Sequence, residues 1–163
     1  MKRPENAHTL YGICIEEAIK SPCQKRGFGA ILMQYGDIIG VDHNRPIPGI
    51  EYVCQEECIR FKIPSGMDSM IGSCGHAEEW LIWEALKEGK NLEKSELYVA
   101  GVDQNKNLLI KTEPYFYCVR CATAMLRAGV AGVHVFSNGE WHFLTSEEAY
   151  KSSLEFALGE KKA

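Results

Sequence analysis

Nothing in this chain of 163 residues approaches the roughly 20 consecutive apolar residues that a membrane-spanning helix needs, which excludes such a helix. Runs of basic residues are missing as well. The 18 Lys+Arg are set against 22 Asp+Glu, for a formal charge of −4, and no basic stretch offers extended contact to a phosphate backbone, which favours a small substrate over nucleic acid. There are no internal repeats and no low-complexity segments. Residues 1–20 scatter charges through their apolar positions instead of building the apolar core of a signal peptide, so the expectation is a soluble, cytoplasmic protein. Cysteine, by contrast, is plentiful. Seven of them, an odd number, without an export signal read as thiols and metal ligands in a reducing compartment rather than as a disulfide framework. The length suits one domain, residues 1–163, able to bury about two-thirds of its unfolded surface in one core.

Hydrophobic periodicity predicts an opening amphipathic helix over 5–20, with Leu10, Ile13, Ala18 and Ile19 near helical spacing and Ser21-Pro22 ending it. Gly27 to Gln34 and Asp37 to His43 are apolar runs separated by Tyr35-Gly36, the pattern of a β-hairpin. Asn44 to Gly49 is loop by its prolines, Glu51 to Phe61 is expected as a short helix, and Ile63 to Gly75 as irregular. Trp80, Leu81, Trp83, Ala85 and Leu86 predict a buried helix from Ala77 to Gly89. Leu97 to Val102 reads as a strand, Leu108 to Ile110 as a further strand or hairpin arm, Val119 to Ala128 as a helix closed by Gly129, Val133 to Phe136 as a strand, and Ser146 to Leu158 as a last helix capped by Thr145 or Ser146. Strands alternating with helices argue for a central sheet covered on both faces.

The chemistry is concentrated in two segments. His76-Ala77-Glu78 is followed forty residues later by Cys118-Val119-Arg120-Cys121. One imidazole and two thiolates are three zinc ligands, and they leave the fourth tetrahedral position open for a water whose pKa the metal lowers to roughly 7. Glu78, two residues from His76 and not itself a ligand, is placed to move protons between that water, a ring nitrogen and a departing amine, the arrangement of a zinc-dependent nucleobase deaminase. Cys118 and Cys121 stand on the first turn of the predicted helix, whose positive end favours thiolate. Taken singly, His-x-Glu is a common surface coincidence, and C-x-x-C serves redox pairs and structural zinc sites equally. A closed structural site would have no use for the carboxylate beside the histidine.

These residues resemble the cytidine and deoxycytidylate deaminase family, most closely its deoxycytidylate (dCMP) branch, over about residues 8–137. The likeness also rests on Ser21-Pro22-Cys23 with Arg26-Gly27-Phe28-Gly29-Ala30, on Asp42 to Pro46, on Cys58-Ile59-Arg60 with Ile63-Pro64-Ser65-Gly66, and on Ala122 with Ala128-Gly129-Val130. The resemblance implies an α/β fold, a three-layer α/β/α sandwich around a mixed five-stranded sheet, hydrolysis of dCMP to dUMP with ammonia release, and a homo-oligomer, a dimer or hexamer. It implies that His76, Cys118 and Cys121 hold the catalytic Zn2+, that Glu78 shuttles protons, that Asn44 bonds the sugar, and that Ala77 offers its backbone to the pyrimidine. Arg26, Arg45 and Arg60 are candidates for a phosphate, since a guanidinium fork matches a monoester dianion. Cys23, Cys54, Cys58 and Cys74 could hold a second, structural zinc or be ordinary buried thiols, as Cys14 is expected to be. Tyr115, Phe116 and Tyr117 could stack on a base or fill the core.

The chain departs from the family pattern where Tyr117 replaces the proline before the first cysteine, and where Trp80 replaces an asparagine two residues beyond Glu78. The stiff Arg45-Pro46-Ile47-Pro48 also lacks the glycine-rich loop of the allosteric members. Trp80 and Trp83 are expected in the core, and His43, His134 and His142 are expected to be structural or exposed. Three readings stand at this stage: a deaminase of a free cytosine nucleotide or of another nucleoside or base, a deaminase of a base within nucleic acid such as tRNA adenosine, and a non-catalytic zinc-binding module.

Overall fold

The computed structural model describes residues 7–63, 74–109 and 117–159. Helix α1 spans Ala7–Lys20, and strands β1 and β2 span Arg26–Gln34 and Asp37–His43. Two-residue strands β3 (Arg45–Pro46) and β4 (Cys74–Gly75) pair with each other, and α2 (Ala77–Lys87) follows at once. Then come β5 (Ser95–Asp103), α3 (Val119–Ala128), β6 (Gly132–Ser137), β7 (Glu140–Thr145) and α4 (Ser146–Ala157). The main sheet is ordered β2-β1-β5-β6-β7. Only the β5/β6 pair is parallel, so the sheet is mixed and five-stranded.

Side chains alternate across β1 and thereby build three layers. Ala30 and Leu32 face a core shared with Leu81 and Ile82 of α2, Met125 of α3 and Ala149 of α4. Ile31 and Met33 face the other way, onto Leu10 and Cys14 of α1. The α1 layer sits unusually close at one point: a Cβ built on Gly29 would lie 2.0 Å from the Cys14 carbonyl oxygen, and one on Gly27 would lie 2.3 Å from that of Ala18. The glycines of Arg26-Gly27-Phe28-Gly29 are therefore the seat of α1, while Phe28 between them points to the opposite face. Among the described residues, no helix is long and apolar enough to cross a membrane.

Several sequence expectations are corrected. The fifth strand, β7, lay in a stretch read as no element at all. It pairs with β6 through a tight turn whose central residues Asn138 and Gly139 both have positive φ (51° and 83°), the backbone of the two-residue hairpin that Asn-Gly favours. Leu108 makes only an isolated bridge to Val102, and Ile110 lies outside the described residues. Glu51 to Phe61 is not one helix but two 3-10 turns, Glu51–Cys54 and Ile59–Lys62. The Gln24 amide accounts for the break: its nitrogen donates to the carbonyls of Cys54 and Glu56 and its oxygen accepts from the Cys58 N–H, groups that a continuous helix would pair internally. Trp80 is buried as expected, but Trp83 is 44% exposed. The buried stripe of α2 runs Glu78, Leu81, Ile82, Ala85, the i, i+3, i+4, i+7 face, and Trp83 falls outside it.

His43, His134 and His142 make structural contacts. His43 meets Glu17 at 2.9 Å, and His142 meets the Ser137 carbonyl at 3.2 Å. His134 meets Glu96 at 3.0 Å and stacks on Tyr98 with ring centroids 4.1 Å apart. Thr145, not Ser146, caps α4: its hydroxyl accepts from the Glu148 N–H at 3.1 Å, and the Glu148 carboxylate accepts in return from the Thr145 N–H at 2.8 Å.

Candidate active site

Two helix N-termini meet at the site. His76 is the N-cap of α2 and Cys118 the N-cap of α3, so both stand where a helix presents unpaired N–H groups and the positive end of its dipole. Cys121 is one turn further into α3 and fully buried. The donor atoms of His76, Cys118 and Cys121 all lie within 4.8 Å of one another. His76 Nδ1 is 3.3 Å from Cys118 Sγ and 3.3 Å from Cys121 Sγ. Zinc bonds of roughly 2.0–2.1 Å to nitrogen and 2.3 Å to sulfur in a tetrahedron set those atoms about 3.6 Å apart, so the trio fits the ion within a few tenths of an ångström. Among the described residues the group holds three donors and neither Glu78 nor Glu79 belongs to it, the count that leaves one coordination position for a substrate or water.

The electrostatics divide the three donors: one is readied as a thiolate, and two are shifted toward their protonated forms, against which a metal would compete. Cys118 is pulled down to about 3 by hydrogen bonding from Cys121, then against burial by His76, so it is a thiolate at neutral pH. Burial drives the Cys121 thiol far up, and its neighbour Cys118 adds to this; a cation is what would release its proton. Burial disfavours charge on His76, but Cys118, Glu78 and Glu79 outweigh it and raise its pKa.

Glu78 lies on the inward stripe of α2 and is 6% exposed. Its Oε1 accepts from the Tyr117 hydroxyl at 2.7 Å. Burial first, then the Glu78 charge, pushes the Tyr117 phenol well above its ordinary range, so it remains a donor. Glu79 turns away, accepting at Oε1 from the His76 N–H at 3.0 Å and from Arg120 Nη2 at 2.8 Å; the same Arg120 nitrogen donates to the Cys74 carbonyl at 3.0 Å.

His76, Cys118 and Glu78 line a cleft of about 760 Å³, with Cys121 buried behind them. Ala77, Asn44, Arg26, Arg60 and Tyr117 line it, as sequence reasoning anticipated, whereas Arg45 does not. Arg45 instead contacts Asp42 and lies 4.2 Å over the Trp80 ring, whose Nε1–H donates to the Arg45 carbonyl at 3.4 Å. Trp80 is thus packed under the chain after β2 and does not line the cleft. Asn44 is buried with its amide engaged on both sides, Oδ1 accepting from the Phe28 N–H at 2.8 Å and Nδ2 donating to the Arg26 carbonyl at 3.0 Å. Lys25, Phe28, Phe61 and Phe136 also line the cleft and were not anticipated. Lys25 adjoins Arg26 in sequence, a signal that was available; the phenylalanines are brought in by three separate elements. Tyr115 and Phe116 lie outside the described residues.

A second cluster gathers Cys23, Cys54, Cys58 and Cys74, all free thiols. Burial pushes Cys54 up to about 12, with Cys74 as its hydrogen-bonded neighbour and Cys58 and Cys23 close enough to add to the shift. These four are not drawn as near to one another as the first trio.

The family model for the cytidine and deoxycytidylate deaminase zinc-binding region matches residues 4–137. The chain belongs to that family. No curated protein matches it. Among solved structures, a glutamate-to-glutamine mutant of cytidine deaminase from Mycobacterium tuberculosis is similar in fold, with a TM-score of 0.50 at 15% identity over 98% of this chain and 100% of that one. The dCMP deaminase of cyanophage S-TIM5 in complex with dCMP and dUMP is 16% identical over 90% of this chain and 93% of that one, with a TM-score of 0.48. This family member is a zinc-dependent nucleotide or nucleoside deaminase.

Proposed function

We propose that this deaminase acts on a free cytosine nucleotide, converting dCMP to dUMP and ammonia. The observation that carries the reading is the placement of Glu78, buried beside the His76, Cys118 and Cys121 trio, in a cleft also lined by Lys25, Arg26 and Arg60. The lining cations suit a phosphate monoester, and Phe28 and Phe61 bring apolar rings to the cleft.

His76, Cys118 and Cys121 would hold the zinc, which when bound acts as a Lewis acid that lowers the pKa of a coordinated water toward 7. Glu78 accepts one proton as the water oxygen bonds to C4 of the ring and returns it to N3, then takes the remaining proton of that oxygen to the amino group as the C4–N bond breaks, leaving a C4 carbonyl and ammonia. Asn44 keeps one N–H and one lone pair beyond its bonds to β1, enough to meet a sugar hydroxyl. Ala77, at the first position of α2, has a backbone N–H that the helix does not use, available to the pyrimidine.

The Cys23, Cys54, Cys58 and Cys74 cluster supports a second, structural zinc that would fasten the chain between β2 and α2; metal analysis returning two zinc ions per chain is the expected result. Exposed Trp83, Leu86, Leu126, Leu154 and Leu158 on the α2–α4 layer support a homo-oligomer, checked by light scattering. The function is tested by ammonia release from dCMP, CMP, deoxycytidine, cytosine, adenosine, guanine and dCTP. Greatest kcat/KM on dCMP supports the proposal; preference for an unphosphorylated compound removes the role given to the lining cations.

A further inference from the structure

We infer that Tyr117 is a positioning residue for Glu78, its hydroxyl fixing one carboxylate oxygen so that the other faces the reacting atoms. This role rests on the deaminase reading above. The phenol donates to Glu78 Oε1 at 2.7 Å, and both side chains are almost wholly buried, Tyr117 and Glu78 each 6% exposed. Among the described residues, Oε2 of Glu78 carries no hydrogen bond. A glutamate side chain turns about three bonds, and a proton shuttle must present one oxygen in one direction; a single strong bond to the opposite oxygen removes that freedom before substrate arrives.

The phenol is itself held from behind. The Tyr117 N–H donates to Ser152 Oγ at 3.2 Å, and its carbonyl accepts from Ser153 Oγ at 2.5 Å. Ser153 Oγ also lies 3.1 Å from the Ala149 carbonyl within α4, so its one proton is shared between the two carbonyls. Helix α4 therefore clamps the backbone of Tyr117 on both sides. The next residue is the ligand Cys118, so one short segment carries both a metal ligand and the support of the proton shuttle. A proline at this position could donate neither from its nitrogen nor from a side chain, so the residue that departs from the family pattern brings two hydrogen bonds with it. A side chain present only to fill the core would be indifferent to the hydroxyl.

The test compares wild type, Tyr117→Phe and Glu78→Gln, each zinc-loaded and with zinc content measured. Tyr117→Phe keeps the ring and loses the hydroxyl. The expected result is a ten- to hundredfold fall in kcat with KM within twofold and full zinc content. In protein labelled with carbon-13 at tyrosine Cζ, the resonance that disappears in Tyr117→Phe should shift in Glu78→Gln, in the metal-free as well as the loaded form. An unchanged kcat in Tyr117→Phe, a loss confined to KM, or a Tyr117 resonance indifferent to Glu78→Gln would each overturn the inference. Wild-type protein that releases no ammonia from any of the seven compounds would instead sink the deaminase reading, and the NMR coupling, if still present, would then mark a packing contact alone.

Discussion

Arg120 and Glu79 tie the two ligand-bearing helices together: Arg120 Nη2 of α3 lies 2.8 Å from Glu79 Oε1 of α2, and that same oxygen holds the His76 N–H. The pair is mostly buried, with side chains 21% and 12% exposed. It sets Cys118 and Cys121 against His76 before any metal is present.

Removing either partner should therefore loosen the metal site more than it unfolds the protein. Arg120→Gln and Glu79→Gln are each expected to weaken zinc binding about 10–100-fold, the usual effect of losing a support behind a ligand. Competition against a chromogenic chelator measures it. Affinity unchanged within twofold in both variants would show that the ligands hold their positions without the pair.

Glu78→Ala should leave zinc in place and abolish deamination. The carboxylate is outside the ligand group, and general acid–base catalysis contributes about 10²–10⁴-fold or more when one group serves several transfers. Metal content and ammonia release are read on the same sample. Retained turnover would end the mechanism proposed.

Gly29→Ala would force a Cβ to within 2.0 Å of the Cys14 carbonyl and 2.7 Å of the Ala18 nitrogen, both backbone atoms that cannot swing aside. Overpacking of this kind costs about 3 kcal/mol or more, equivalent to roughly 6–12 °C in Tm for a chain of this size. Differential scanning fluorimetry gives the answer directly, and a shift under about 2 °C would contradict the close seating of α1.

Alkaline pH should expose a different element of the same contact. Cys14 is fully buried, and burial pushes its thiol up to about 12, the Ala100 backbone opposing and the Glu78 charge adding. The folded pKa lies above the unfolded value of about 8.5. Its contribution is thus complete below about pH 8.5 and is lost as pH rises toward 12, at up to about 1.4 kcal/mol per unit. In urea titrations from neutral pH to about pH 10.5, Cys14→Ala should lose less stability than wild type; parallel slopes would show that the thiol ionises without cost.

The metal site was readable from sequence because its residues carry chemistry that packing does not demand. His76, Glu78, Cys118 and Cys121 are grouped by short spacings on two helix starts, and only the joining of those starts awaited three dimensions. Strand β7 escaped because Glu140, His142 and Thr145 interrupt its apolar positions on an edge of the sheet that is half open to solvent. The Asn138-Gly139 turn was the signal that could have found it. Trp83 misled for the opposite reason: a large apolar ring suggests burial, but its angular position on α2 places it outside. The partner of Glu78 was beyond sequence reasoning, since Tyr117 reads equally as a wall of the cleft and as core until a direction is given to its hydroxyl.

The short ladder in which Arg45 opposes Gly75 and Pro46 opposes Cys74 separates the catalytic geometry from the excursion it encloses. The two rungs fix where the chain arrives immediately before His76, while Gln24 and the buried Val53 and Cys58 hold the first part of the enclosed segment to the body of the protein. Arg60 and Phe61 of that segment line the cleft, so side chains there can alter what the cleft accepts without displacing the histidine anchored behind them.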